Sequence, residues 1–573
     1  MPRDLGSPMK GTWRRRYRRL LDLPPGMLRG RILYRAKLPI FAGGLYDRLL
    51  LGRHAPKLAA LPADRWPADP ARGREIATGS FHLGHQTIRE PVPLGRPIGA
   101  DEDWRIAFNS FAWLADLMAL GAPAAPVALA FVERWLAENP RWEALAWRPD
   151  IIGRRLSAWL AQPLLLAAGG DAALALKIAE AVERQTRHLA HALPAGLAGQ
   201  ALLAAVKGLI LGALALGHEG MLAVGLKQLA RTLPHQLLAD GGHIERSPAL
   251  QLSALRDLCD LRIALEAAGR PVPNELALAI ARMAPVLRMF QAGDGGLALF
   301  NDSDEGPAGA VDLTLLRADA KAKPLASAPQ SGFQRLAAGS SVVLVDAGRP
   351  PPPGLDSHAH AGTLSFEFYH GKERVIVNCG AQPAEGDWLL AQRATAAHST
   401  VTVDDTNSSA LMSDGHGLAR RPMEVVARRE EAEGNLWLET SHDGYQPNYG
   451  LVHHRRLYLS ADGADLRGHD RLEGSGGKRF TLSFHLHPAV NASLAQDRQA
   501  VLLRLPSGAG FRLRCQVVGG TIGGAPGEVA LAESIYLGRP GERRRSQQVM
   551  VTGELSGAGL EVKWQLSRES RRK

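Results

Sequence analysis

Apolar residues recur every three to four positions along 104–120, 127–138, 153–166, 172–193, 202–216, 221–233, 247–268 and 273–292. That spacing lines one face of a helix. The connections are short and carry Gly or Pro, as in Gly169-Gly170 and Pro271-Val272-Pro273. Consecutive helices with short loops predict antiparallel helical hairpins. No fixed sequence period marks a standard repeat array. Helical periodicity is lost over 303–330. Beyond it, short segments at 340–345, 363–369, 374–378, 399–403, 424–427, 436–441, 456–459, 479–485, 500–505 and 510–518 read as strands separated by Gly and Asp turns. This is an antiparallel β region, predicted as stacked sheets. Helices first and strands second imply two packed domains of different class, an α+β multidomain chain rather than an alternating fold. The boundaries expected are 1–95 for a basic, partly helical extension, 96–325 for the helical domain and 326–573 for the β domain.

Composition narrows the picture. With 573 residues and 45% hydrophobic content, the chain can bury large cores. The formal charge of +11 favours a polyanionic partner: nucleic acid, an anionic membrane surface or an acidic polysaccharide. An Arg-rich, GC-rich coding bias is the plainer source of the same excess. The basic residues are scattered and no aromatic–basic interleaving marks a nucleic-acid binder. Cys259, Cys379 and Cys515 form no CxxC pair, so neither a zinc ribbon nor a disulfide framework is read from them. The basic run Trp13 to Arg19 is either a solvated helix face or a contact for phosphate or lipid headgroups. No secretory leader is recognised, and nothing reaches the roughly 18 apolar residues that span a bilayer. A cytoplasmic protein without a transmembrane segment is expected, with the cell envelope or periplasm as the alternative.

Four polar clusters can carry chemistry. Asp356-Ser357-His358-Ala359-His360-Ala361-Gly362 opens the β region. On a strand, residues two apart share a face, so His358 and His360 can enter one site. With His398 and an oxygen donor they could hold a divalent metal, or simply hydrogen-bond to backbone. Asp240 to Pro248 places His243, Glu245 and Arg246 in a loop before a helix, with Ser247 as cap and Pro248 at its first position. His442-Asp443-Gly444-Tyr445, followed by Tyr449 and His453 to Arg456, offers His and Tyr for proton transfer. Phe484 to Pro488 carries His485 and His487, read as core or rim. Gly293 to Gly296 with Phe300-Asn301-Asp302 reads as a turn, and Gly519 to Gly524 as a loose hairpin.

In this order these phrases resemble the heparinase II/III family, over most of 100–490. Ser357 to Ala361 with Leu364-Ser365-Phe366-Glu367 is similar to its His-rich signature strand. Arg393 to Thr400 is similar to its Arg-x-x-x-x-His-Asn-Thr segment, with Ser399 in place of Asn. His442 to Tyr445 and His453 to Arg456 match as well. In the helical half Trp147, Arg155, Trp159 and the 240–248 loop are similar to its toroid. The resemblance implies an (α/α) helical toroid followed by an antiparallel β-sandwich. It also implies a polysaccharide lyase that cleaves an acidic, uronate-containing polysaccharide or oligosaccharide by β-elimination. By the same resemblance His358 is the catalytic histidine; His243 and Glu245 are further catalytic candidates lining the cleft, and Tyr445 or Tyr449 is the candidate to stand in for the family's catalytic Tyr. Gln200 is the candidate for the family's carboxylate-neutralising amide, and Arg246, Arg393 and Arg455 are expected to bind the anionic substrate. His360, Asn378 and His398 are placed on a zinc or calcium ion, Asn378 standing where the family has Asp. No organic cofactor is implied. The chain departs from the family at Ala249-Leu250-Gln251, where a Tyr is usual, and at Gly199 to Ala204, where Gln200 replaces an Asn or Asn-His. A catalytically degenerate glycan-binding protein on the same fold is therefore the alternative. A hydrolase is the third reading, needing Glu245 with Asp240 or Asp302 as paired carboxylates.

Overall fold

The computed structural model describes residues 23–52, 54–63, 66–496, 500–518, 528–555 and 560–569. The basic run Trp13 to Arg19 and the Gly519 to Gly524 hairpin lie outside the described residues. The chain forms two compact units, one of residues 1–236 and 253–281, the other of 237–252 and 282–573. The loop 240–248 and the segment 282–325 thus cluster with the strands.

The first unit is helical. In it Pro149–Leu160 packs against Gly199–Ala215. They approach closely because Gly153 and Gly208 carry no side chain: a Cβ on Gly153 would lie 2.2 Å from the Ala204 carbonyl oxygen. Pro149 starts the first of these helices, four residues before the sequence reading, and the chain restarts at Pro163 after leaving the helix at Leu160. The single helix expected over 104–120 is two, Glu102–Asn109 and Leu114–Met118. Phe111 breaks it at φ 56° and turns its ring onto Trp113, Trp135 and Trp159. Arg155 is fully buried beside this aromatic cluster, 4.4 Å from the centre of the Trp135 ring. Its guanidinium donates to Gln185, Asn109 and Ala146 oxygens. Burial lowers its pKa to about 9.

The second unit holds an antiparallel sandwich. One sheet runs Val425–Ala432, Asn435–His442, Val452–Leu459, Asp465–Glu473, Leu560–Arg568, Gly510–Val518, Ala500–Arg504, Asn491–Leu494. The other runs Glu528–Tyr536, Arg544–Glu554, Arg479–Leu486, Glu373–Val377, Phe366–His370, Ser341–Asp346, Phe333–Ala338, Ser327–Ala328, with Val401–Val403 also paired to Arg479–Leu486. Strict alternation explains the inner faces: Leu436, Leu438, Leu457 and Leu459 of one sheet pack in one core with Leu336, Val343, Phe366 and Phe484 of the other.

Polar side chains sit inside this core. Asp470 accepts from Arg455 Nε at 2.7 Å, His453 Nε2 at 2.8 Å and Trp564 Nε1 at 2.9 Å. Arg455 also donates to the carbonyls of Leu364 and Ser399, which ties the sheets together. His453 in turn contacts His442 at 3.3 Å. The strand expected at 363–369 begins only at Phe366, because buried Leu364 takes a left-handed backbone at φ 63°.

Candidate functional site

The His358–His360 phrase is a loop and not a strand. Its two histidines converge because both bond one carboxylate, Asp302. His358 Nδ1 donates to Asp302 Oδ2 at 3.0 Å, and His360 Nε2 lies 2.8 Å from Oδ1. Arg393 closes the opposite side, its Nε donating to Oδ1 at 3.1 Å and its Nη2 pairing with Oδ2. Asn301 and Asp302 hold left-handed backbone at φ 49° and 55°. Two consecutive non-glycine residues there need support from outside the turn. Asn301 supplies it, donating to the Arg246 carbonyl at 2.8 Å and accepting from the His360 backbone at 3.0 Å. Ser303 adds a contact to Ser247 Oγ at 3.1 Å.

The electrostatics follow. Burial alone would raise the Asp302 carboxyl, but the charge of Arg393 and the bonds from His358 and His360 hold it well below the carboxylate range. Desolvation would lower His358, but its bond to Asp302 and the charges of Asp302 and Glu245 outweigh it and raise the imidazole pKa. His243, fully buried, is lowered to about 3 by desolvation first and the charge of His358 second. The His358 side chain is 41% exposed, whereas those of His360 and Arg393 are 3% and 4% exposed. Among the described residues, His358 Nε2 has no hydrogen-bond partner. The arrangement can therefore present one oriented imidazole nitrogen to a ligand, backed by a buried ion cluster.

The metal expectation can be tested on the donors. His398 Nδ1 donates to the Ala394 carbonyl at 2.7 Å. His360 Nε2 lies 2.8 Å from Asp302 Oδ1 and accepts from the Asp302 backbone N–H at 3.0 Å. His360 Nδ1 and His398 Nε2 lie 3.0 Å apart, so a proton on His360 Nδ1 joins them in a hydrogen bond, and a divalent ion would take that proton's place. Asn378 is fully buried. Its Oδ1 accepts from the Ser399 backbone at 3.0 Å and its Nδ2 has no partner. The two imidazoles are the nitrogen donors a divalent ion would use here, and an amide oxygen such as that of Asn378 would be a weaker ligand than a carboxylate. A side chain at Gly362 would meet the His398 ring at 2.7 Å, so this loop closes onto the pair only with glycine.

Several residues expected at the site lie elsewhere. Tyr445 is a core residue whose hydroxyl donates to the Val401 carbonyl at 2.6 Å. Arg455 is buried against Asp470 between the sheets, so neither reaches a ligand. Arg246 donates to the Ser331 carbonyl at 2.5 Å, pairs with buried Asp346 and lies 4.9 Å from the Phe333 ring centre. Arg393 has its guanidinium filled by Asp302 and the carbonyls of Ser357 and Gly415. Both therefore build the site's frame, and neither offers a guanidinium open to an anion. Asp240 is likewise engaged, by the backbone nitrogens of Ser331 and Gly242. Glu245 is buried and bears on His358 through its charge. Gln200 belongs to the first unit, donating to Ser253 Oγ at 3.0 Å and Asp257 at 2.6 Å, with Lys207 paired to Asp257 and Asp260 beside it. Sequence reasoning took Asp302 as part of a turn and named it only as a carboxylate for the hydrolase reading; its place between His358, His360 and Arg393 was missed.

Three comparisons bear on this arrangement. The Heparinase II/III-like, C-terminal family matches residues 320–565. FtsZ-localized protein C of Caulobacter vibrioides is 33% identical over 585 residues, covering 95% of this chain and 97% of that protein. The crystal structure of heparinase III is similar with a TM-score of 0.72 at 14% identity, covering 95% of this chain and 92% of that one. A heparan sulfate lyase HepC mutant from Pedobacter heparinus gives a TM-score of 0.59 at 16% identity, covering 92% and 88%. The structural likenesses establish the fold, a helical toroid followed by an antiparallel β-sandwich.

Proposed function

We propose that this chain, which belongs to the heparinase II/III-like family, acts on an acidic, uronate-containing polysaccharide or oligosaccharide by β-elimination, with His358 carrying the proton. The observation that supports this most is the exposed His358, bonded through Nδ1 to Asp302 and open at Nε2. In β-elimination the C–H bond beside the sugar carboxylate breaks, a C=C bond forms and the glycosidic C–O bond breaks. Neutral His358, its proton on Nδ1, can take the C–H proton at Nε2, and the imidazolium so formed can deliver it to the departing oxygen. Asp302 stabilises the imidazolium, and Glu245 adds a favourable field. A divalent ion held by His360, Asn378 and His398 would supply a structural tie between their loops.

A second reading is a glycan-binding protein without elimination. It draws support from Arg246, Arg393 and Arg455, whose guanidiniums are engaged within the protein, and from Tyr445 in the core. Incubation with a panel of uronate polysaccharides separates the two. Ultraviolet absorbance of an unsaturated uronate supports the first; calorimetric binding with flat absorbance supports the second. Likeness along 97% of FtsZ-localized protein C supports a place with FtsZ for this chain as well. Co-sedimentation with FtsZ polymers tests this, and protein left wholly in the supernatant would refute it.

A further inference from the structure

We propose that a groove at one end of the β-sandwich, walled by Arg504, Arg568 and His370, is a second glycan site, which binds an acidic, uronate-containing chain without acting on it. It shares no lining residue with the His358 site. The choice of a uronate chain as occupant rests on the reading given above; the groove as a site for a polyanion does not.

The groove has a volume of about 1030 Å3 and forms where strands finish. His370 ends Phe366–His370, Arg504 ends Ala500–Arg504 and Arg568 ends Leu560–Arg568. Both arginines are exposed, and among the described residues neither guanidinium has a hydrogen-bond or ion-pair partner. The carboxylates beside them are already engaged. Glu569, in the lining, receives Arg512 Nε at 3.0 Å. Glu373 receives the Ser507 backbone nitrogen at 2.8 Å and the Ser507 hydroxyl at 2.5 Å. Two open guanidiniums beside satisfied carboxylates make a positive groove that an anionic ligand completes. Strand register decides the kind of anion. Arg504 lies opposite Gly510 and Arg568 opposite Phe511, the next residue of the same strand. Consecutive strand residues leave opposite faces. The two guanidiniums are therefore set for successive acidic groups of a chain that wraps the strand ends, not for one small ion. His370 separates a glycan from other polyanions. Ser341 Oγ gives its proton to the Gly463 carbonyl at 2.6 Å and so accepts from His370 Nδ1 at 3.2 Å. Burial first and the charge of Arg568 second lower the pKa of this ring, which leaves it neutral with a lone pair on Nε2. A lone pair repels a bare phosphate oxygen and accepts from a sugar hydroxyl. Exposed Asn491 and Ser493 add polar groups of the kind that hydroxyls meet. Among the described residues, no Phe, Tyr or Trp lines the groove for base stacking.

Calorimetric titration of the full-length His358→Ala chain with hexagalacturonate tests this, because that background holds the probe uncleaved. Adding Arg504→Ala and Arg568→Ala is expected to remove one bound hexamer per chain, with affinity at that site falling about tenfold or more. Adding Arg428→Ala and Lys563→Ala instead, which takes the same charge from exposed positions outside the groove, is expected to keep that hexamer. Both pairs should melt within about 2 °C of the parent, since exposed side chains without partners are replaced. An unchanged hexamer count in the groove pair overturns the inference, as does equal weakening by the two pairs. So does a parent chain that binds no hexamer. A short DNA duplex that binds the parent and is lost to the same degree in the groove pair overturns the glycan assignment. An inactive wild type refutes the lyase reading, and the hexamer count still decides the groove.

Discussion

A carboxylate between two imidazoles and a guanidinium is the residue-scale feature that organises this site. His358 projects from it half-exposed, so removing its ring costs little packing. His358→Ala is expected to keep the melting temperature within about 2 °C while abolishing turnover, because a mostly surface change stays within about 0.5 kcal/mol. Differential scanning calorimetry beside a turnover assay checks both halves. Tyr445→Phe should behave in the opposite way. It leaves the buried Val401 carbonyl short of a donor, at about 1–2 kcal/mol, and leaves turnover intact. Loss of turnover in that variant would return Tyr445 to the site. The sequence made the convergence of His358 and His360 legible, although for a strand that proved to be a loop. The pairing of Asp302 with them was not legible, because a short polar turn carries no periodicity and its partners lie 56 and 58 residues further along the chain. Nor can sequence distinguish an open guanidinium from a filled one. Arg393 and Arg455 read as anion binders until their carboxylate partners, Asp302 and Asp470, were placed.

At the scale of elements, glycine contacts and a buried ion cluster set the tolerances. Gly153→Ala should push Pro149–Leu160 away from Gly199–Ala215, costing about 1–3 kcal/mol as overpacking does. Arg455→Ala should cost more, about 3–5 kcal/mol, since it leaves Asp470 buried with a partner missing. Urea unfolding of both variants checks the order; an Arg455→Ala chain as stable as wild type would contradict the core assignment. The helical half was legible because its apolar stripes are long. Its errors fall at Phe111 and Pro163, where an aromatic cluster and a proline override periodicity. In the β half, Asp465–Glu473, Glu528–Tyr536, Arg544–Glu554 and Leu560–Arg568 escaped the sequence reading. Their solvent faces carry Arg, Glu and Gln, which mask the alternate apolar positions that fill the core.

For the whole molecule, buried neutral histidines fix the direction of the pH response. Burial lowers His188 and His243 to about 3 and His485 to about 4. In the unfolded chain these groups take up protons from about pH 6.5 downward, whereas the folded chain does so only near pH 3–4. The unfolded state therefore binds more protons in that window, and stability falls as pH falls, by up to about 1.4 kcal/mol per pH unit for each such histidine. Thermal melts from pH 7.5 to 5 should decline steadily; a flat profile would contradict neutral burial. The +11 charge sets the partner class only loosely, since polyanions of several kinds satisfy it. Among the described residues, no helix is long and apolar enough to cross a membrane. The most direct test of the account is ultraviolet absorbance of an unsaturated uronate product, followed on a panel of acidic polysaccharides with wild type and His358→Ala side by side. The account predicts a rising signal in wild type that disappears in the variant; a signal that persists in His358→Ala, or a flat trace for wild type on every polymer, would contradict it.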